Sequence, residues 1–256
     1  MIDEKIEEYK KKILVSDYDQ TFYLNDEDIE KNKIAVEKFR SKGNIFIIAT
    51  GNCYYDIKKK GNKYNIKYDY LIINHGGSIL NEKDEIIYNF PIENTIINEI
   101  RKELEIYIPN IKAHLEKSTY GTSTNKYFCS KQKLSRLDFN NKDLTKVNIK
   151  LDSTEMADKI KGIINNKYSN FVNCYKVSKN VIEIISKQID KSKAIKLLAN
   201  YYNLDSKAIY TIGDGYSDIE MVKNFMGYTM KNSVEELKHV AKKEFESVSE
   251  LIKEIM

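Results

Sequence analysis

Ile13, Leu14 and Val15 form a short unbroken apolar run that ends in Ser16-Asp17-Tyr18-Asp19, and nothing else in the chain restricts its fold as sharply. A strand that is apolar at every position, rather than at alternate ones, has to be buried on both faces. Parallel sheets covered by helices meet that demand, and ligands bind at the carboxyl edge of such sheets, where Asp17 and Asp19 fall. Side chains two apart on extended backbone project the same way, so both carboxylates can face one site, and two clustered anions invite a divalent metal. Taken alone, the pair fits an aspartate turn equally well.

The segments that follow alternate in kind. Asp28-Ile29-Glu30 opens a stretch with Ile29, Val36 and Phe39 at near-helical spacing, closed by Gly43. Asn44 to Gly51 is a second continuous apolar strand, ending in Thr50-Gly51 and leading into the amphipathic segment Tyr54 to Lys60. Tyr70 to Asn74 is a third, followed by His75-Gly76-Gly77. Strand, helix, strand, helix, strand predicts an α/β fold with a doubly wound, Rossmann-like parallel sheet, and right-handed crossovers bring the strand ends to one edge.

From about Ser78 the pattern changes. Ser78–Leu80 and Ile86–Tyr88 flank the polar turn Asn81–Asp84 and read as a hairpin leaving the sheet. A helix over Glu93–Glu105, strands near Ile111–Glu116, Lys126–Ser130 and Val147–Leu151, a helix over Ser153–Asn166, and strands over Phe171–Val177 and Val181–Ile185 complete an α+β section. Asp190 then caps a helix from Ala194 to Tyr202, and the strand Ala208–Ile212 ends in Gly213-Asp214-Gly215-Tyr216-Ser217-Asp218. A strand over Gly227–Met230 and helices near Ser233–Val240 and Ser247–Ile255 close the chain. The expected organisation is a core of residues 1–82 and 187–256 with an inserted α+β cap over 83–186.

At 256 residues with 41% hydrophobic content, the chain can bury a sizeable core. Charged residues make up 31%, yet the net charge is only +4 and the lysines are interspersed with acids, so no nucleic-acid footprint is expected. No run approaches 18 apolar residues and the first dozen residues are charged, which predicts a cytoplasmic protein with no membrane partner. Cys53, Cys129 and Cys174 lie far apart in no Cys-x-x-Cys arrangement, arguing for packing rather than zinc. A monomer or a homodimer is equally compatible with this composition.

Four motifs in order carry a family resemblance over the whole chain. Asp17-Tyr18-Asp19-Gln20-Thr21 resembles the Asp-x-Asp-x-Thr nucleophile motif of the haloacid dehalogenase-like hydrolases, and Thr50 resembles their second motif. Lys191, in Ile189-Asp190-Lys191-Ser192-Lys193-Ala194, is similar to the third-motif lysine, and Gly213 to Met221 is similar to the metal motif Gly-Asp-Gly-x-Asn-Asp-x-x-Met. An α+β insertion between the second and third motifs resembles the type IIB, Cof-like branch. The resemblance implies a Mg2+-dependent phosphatase of small phosphorylated metabolites, sugar phosphates foremost, acting through an aspartyl phosphate. Phosphatases of pyridoxal phosphate, flavin mononucleotide and disaccharide phosphates belong to the same branch, as do phosphomannomutases.

The chemistry at each position follows from charge. A carboxylate can approach a dianionic phosphate ester only if positive charge offsets the repulsion. Asp17 would attack phosphorus and ligate the metal, and Asp19 would protonate the leaving alkoxide and later deprotonate water. The resemblance implies further metal ligation by the Asp19 backbone carbonyl and by Asp214, with Asp218 orienting metal waters or Lys191. Thr50 and Lys191 would hold the phosphoryl oxygens, with Gly51 and Asn52 completing the phosphate-binding turn. The acid at position 19 favours a hydrolase or a mutase, because both must release an alcohol.

Three positions depart from the pattern: Gln20 replaces a common glycine, Asn52 an arginine that often follows Thr-Gly, and Ser217 an asparagine. They motivate a second class of reading, a phosphate-binding or regulatory protein without turnover. His75 reads as a hinge or packing residue, and His114 and His239 as ordinary surface or core histidines. The polar segment Lys117–Asn125 is either a loop reaching the substrate or an ordinary surface loop.

Overall fold

The computed structural model describes residues 11–105, 111–114, 119–121, 132–133, 143–201 and 203–256. In chain order the first part comprises β1 (Ile13–Ser16), α1 (Asp26–Ser41), β2 (Ile45–Ala49), α2 (Tyr54–Tyr64), β3 (Tyr70–Ile73), β4 (Ser78–Asn81) and β5 (Ile86–Asn89). The middle part comprises α3 (Asn94–Leu104), β6 (Ile111–His114), β7 (Thr119–Gly121), β8 (Gln132–Lys133), β9 (Lys146–Lys150), α4 (Thr154–Lys167), β10 (Val172–Ser178) and β11 (Val181–Ser186). The last part comprises α5 (Lys191–Tyr201), β12 (Ile209–Gly213), α6 (Ile219–Asn224), β13 (Met226–Met230), α7 (Glu235–Lys238), β14 (Glu244–Phe245) and α8 (Val248–Ile255). The strand expected over Lys126–Ser130 and Cys129 itself lie outside the described residues.

The chain divides into two compact units, one of residues 1–48, 67–69 and 195–256, the other of 49–66 and 70–194. In the first unit the strand order is β14-β13-β12-β1-β2, and every neighbouring pair is parallel. Ile13, Leu14 and Val15 are at most 1% exposed, which is the two-sided burial their unbroken apolar run predicts. Helix α1 starts two residues before the expected Asp28. Asn25 is its cap, with the side-chain oxygen accepting from the amides of Glu27 and Asp28 and acids filling the first turn. Gly43 follows the helix at φ +82°, the left-handed conformation that ends helices cheaply at glycine. Buried Asn32 ties this helix to its surroundings: it donates to the Phe22 carbonyl at 2.9 Å and accepts from the Ser249 amide at 2.8 Å.

In the second unit β4 runs back along β3, and β5 along β4, all antiparallel. The hairpin therefore extends the layer begun by β3 instead of leaving it, because the turn Asn74–Gly77 folds β4 directly onto its predecessor. The inserted section forms a six-stranded sheet in the order β10-β11-β9-β6-β7-β8. One face packs on α3 and α4 through Val147, Ile149, Ile182, Ile184, Ile97, Ile100 and Ile164. Side chains alternate along a strand, so Lys146, Asn148 and Glu183 take the opposite face. Cys174 sits in the packed layer, where burial pushes its thiol up to about 12, as suits an inert packing residue.

Candidate active site

In the first unit β1 delivers Asp17 directly. Its amide donates to the Ile212 carbonyl at 3.0 Å, continuing the β1–β12 ladder one residue past the strand. The chain then folds into a tight loop in which Phe22 N donates to Asp17 O, Tyr23 N to Tyr18 O and Gln20 N to Tyr23 O. Fully buried Tyr18 and Phe22 anchor this loop. Gln20 has φ +62°, so the residue that replaces the family's glycine occupies a left-handed position. A side chain there costs about 1–2 kcal/mol and leaves the loop's path intact.

Strand β12 brings the second acidic group. The Asp214 carboxylate accepts from Thr21 Oγ1 at 2.6 Å, a bond that joins the first motif to the fourth. Asp218 Oδ2 accepts from the amides of Asp214 and Gly215 at 3.1 and 3.0 Å, which fixes the turn that carries Asp214. Asp17, Asp214 and Asp218 each offer a carboxylate oxygen, and these oxygens lie within 4.8 Å of one another. Asp17 and Asp218 are buried at 8% and 1% exposure. Like charges at this spacing repel, and hard anionic oxygens so placed suit a small divalent cation. Asp19 stands outside this trio and is half-buried.

The second unit holds the other expected site residues. Thr50 directly follows β2; its amide donates to Ile72 O at 2.8 Å, and its carbonyl accepts from the His75 amide at 3.1 Å. The Thr50 hydroxyl accepts from both the backbone amide and the side-chain amide of Asn52, at 3.1 and 3.0 Å. With both lone pairs engaged, its proton is what it has left to offer, so it is set to donate. Asn52 thus does something other than fill an arginine's place: it orients Thr50. Lys191 is 2% exposed in the first turn of α5, whose start Asp190 caps through the Lys193 amide at 2.8 Å. A buried cation at the positive end of a helix is costly unless an anion is near.

One group of residues escapes reading from sequence. Glu183 Oε2 lies 2.8 Å from His75 Nε2, while Glu183 Oε1 lies 2.6 Å from Asn148 Nδ2 and 3.2 Å from Lys146 Nζ. Lys146 Nζ also donates to the Gly51 carbonyl at 2.6 Å. His75, expected as a hinge or packing residue, is held in this group by Glu183. Charges at alternate positions of otherwise apolar strands signal a polar sheet face, but only the strand register shows that Lys146 and Glu183 meet.

Burial opposes ionisation of Glu183, but Lys146, His75 and Asn148 more than offset it, so the carboxyl lies well below its ordinary 4.5. A depressed folded-state value stabilises the fold fully above the unfolded value and less as pH falls below it. Glu183→Gln is therefore expected to cost about 3 kcal/mol at pH 7, where it strands Lys146. The gap to wild type should narrow on acidification below about pH 4.5, as read by urea unfolding at pH 7 and pH 4. A gap that is constant with pH would contradict this assignment.

Carboxylates gathered at the carboxyl edge of a parallel sheet place the chain among α/β enzymes that work at strand ends. The profile of the haloacid dehalogenase-like hydrolases matches residues 14–251. The chain belongs to this family, as its four motifs predict. It is 30% identical over 237 residues to an uncharacterized protein of Mycoplasma capricolum, covering 84% of this chain and 88% of that one. A protein of Buchnera aphidicola subsp. Baizongia pistaciae, provisionally named a phosphatase, is 25% identical over 275 residues, covering 95% and 97%. The crystal structure of a haloacid dehalogenase-like hydrolase from Bacteroides thetaiotaomicron superposes with a TM-score of 0.82 at 19% identity, covering 96% of this chain and 100% of that one. The Thermotoga maritima protein TM0651 gives 0.82 at 21% identity, covering 96% and 98%. Among the described residues, no helix is long and apolar enough to cross a membrane.

Proposed function

We propose that the protein is a magnesium-dependent phosphatase of small phosphorylated metabolites, with sugar phosphates the leading class. The observation that supports this most directly is the trio Asp17, Asp214 and Asp218 at the ends of the neighbouring strands β1 and β12, the first of which also supplies an acid at position 19. These three side chains would hold Mg2+, which when bound supplies the positive charge that lets an anionic nucleophile meet a phosphate dianion. Asp17 attacks phosphorus, the P–O bond to the alcohol breaks, and Asp19 gives its proton to the departing alkoxide. Asp19, now a carboxylate, then takes a proton from the water that attacks the aspartyl phosphate. This releases phosphate and regenerates Asp17. The Thr50 hydroxyl donates to a phosphoryl oxygen, and the Lys191 ammonium balances its charge. The inserted section, residues 83–186, closes over the organic part of the substrate and sets specificity.

A phosphomutase needs the same acid at position 19 and is the alternative within this chemistry. The left-handed backbone at Gln20 and the Asn52–Thr50 bonds accommodate two of the three departures from the motif pattern, which favours the enzyme reading over a protein that has lost turnover. Purified protein assayed with Mg2+ against a panel of sugar phosphates, nucleotides and cofactor phosphates tests the reading. Release of inorganic phosphate is expected, highest in kcat/KM for a sugar phosphate. Transfer to a second hydroxyl without phosphate release would make it a mutase, and silence across the panel would remove the enzyme reading.

A further inference from the structure

All three carbonyls of the turn Thr50–Asn52 are engaged within the second unit: Thr50 O by the His75 amide, Asn52 O by the Asn74 amide and Gly51 O by Lys146 Nζ. The two amides come from consecutive left-handed residues, Asn74 at φ +51° and His75 at φ +57°. Strained backbone of this kind persists only where its surroundings hold it. Part of that hold comes from Glu183, which uses one oxygen on His75 and the other on Lys146 and Asn148. The His75 ring in turn lies against Gly51 so closely that a Cβ there would sit 2.3 Å from His75 Cε1 and 2.5 Å from Nε2. Position 51 must be glycine for the imidazole to lie where Glu183 holds it.

We propose that Lys146 and Glu183 are positioning residues for the phosphate-binding turn: through the Gly51 carbonyl and the His75 ring, two strands of the inserted sheet fix where the Thr50 hydroxyl points. The proposal rests on the reading that Thr50 holds the phosphoryl group. It adds a role that the four motifs do not contain, because β9 and β11 belong to the section expected only to read the organic part of the substrate. Lys146 is the direct clamp on the turn. Glu183 acts through it and through His75, and neither is argued to touch substrate.

Full-length wild type is compared with Lys146→Met, Lys146→Arg and the charge-balanced double variant Glu183→Gln/Lys146→Met, which leaves no lone buried charge to unfold the chain. Hydrogen exchange read by mass spectrometry is expected to quicken about tenfold in the segment Ala49–Cys53 of the Met variants, with β1 and α8 unchanged. KM for p-nitrophenyl phosphate and the inhibition constant of inorganic phosphate should rise about tenfold together, because Thr50 holds the same oxygens in both complexes, while kcat stays within about threefold. Lys146→Arg, which keeps a donor, should recover most of both effects. Loss of folded protein alone would lower Vmax and leave KM alone. An unaltered KM, or exchange in Ala49–Cys53 that rises no more than elsewhere, overturns the positioning role. Should wild type hydrolyse nothing, the phosphatase reading falls, and the exchange measurement still decides whether Lys146 and Glu183 hold the turn.

Discussion

Asp17→Asn is expected to lower kcat for p-nitrophenyl phosphate by about four orders of magnitude or more, since removal of an attacking group costs about that much or more in hydrolases that work through covalent intermediates. The substitution is nearly isosteric at a position 8% exposed, and the backbone bond from Asp17 N to Ile212 O does not depend on the side chain. The variant should therefore melt within a few degrees of wild type, so lost activity reads as lost chemistry. Asp19→Asn makes the complementary case. It should spare attack on p-nitrophenyl phosphate, whose leaving group needs little protonation, more than attack on an alkyl phosphate, because the acid is needed most for the poorer leaving group. Equal losses on both substrates would remove the acid role from Asp19, and substantial turnover by Asp17→Asn would remove the nucleophile role from Asp17.

The elements legible in the sequence are those whose cause is local. β1 and β2 announce themselves by unbroken apolar runs, and the amphipathic α8 by the spacing of Val248, Leu251, Ile252 and Ile255, all buried. That Asp17, Asp214 and Asp218 come together was legible because each lies a few residues past a strand end. What stayed hidden depends on competition or on distant pairing. Asn25, Asp26 and Asp28 all make good helix caps, and only the backbone shows that Asn25 takes the cap. Ser78–Asn89 reads as two strands about a polar turn, but that the left-handed Asn74 and His75 fold β4 back onto β3 shows only in the backbone. Lys146 and Glu183 are 37 residues apart, and Glu183 and His75 are 108 apart. Lys146 and Glu183 look like ordinary solvated charges until the register places them on one face. Asn52 was noted for the cation it lacks, while its bond to Thr50 became evident only from the turn's geometry.

Metal binding by the aspartate trio should be visible without any substrate. At a Mg2+ concentration about a hundredfold above its dissociation constant, linkage stabilises the folded state by about 2.7 kcal/mol. For a chain of this size that corresponds to a rise in Tm of roughly 5–10 °C. Asp214→Asn keeps an oxygen that can accept from Thr21 Oγ1 and keeps the volume of the side chain, so its metal-free Tm should stay within a few degrees of wild type. It removes one of three charges that attract the cation, and the Mg2+-dependent rise should shrink to about a degree or less. Asp218→Ala should do more damage, because the amides of Asp214 and Gly215 lose the Oδ2 acceptor that fixes their turn, which lowers the metal-free Tm as well. Asp218→Asn separates the two effects: its amide oxygen can still accept both N–H groups while the charge is gone. Treatment of wild type with a chelator should abolish hydrolysis, and Mg2+ should restore it. Full activity after chelation, or an Asp214→Asn protein that still gains its whole Tm increment, would show that the cation sits elsewhere or that the carboxylates serve the turn alone.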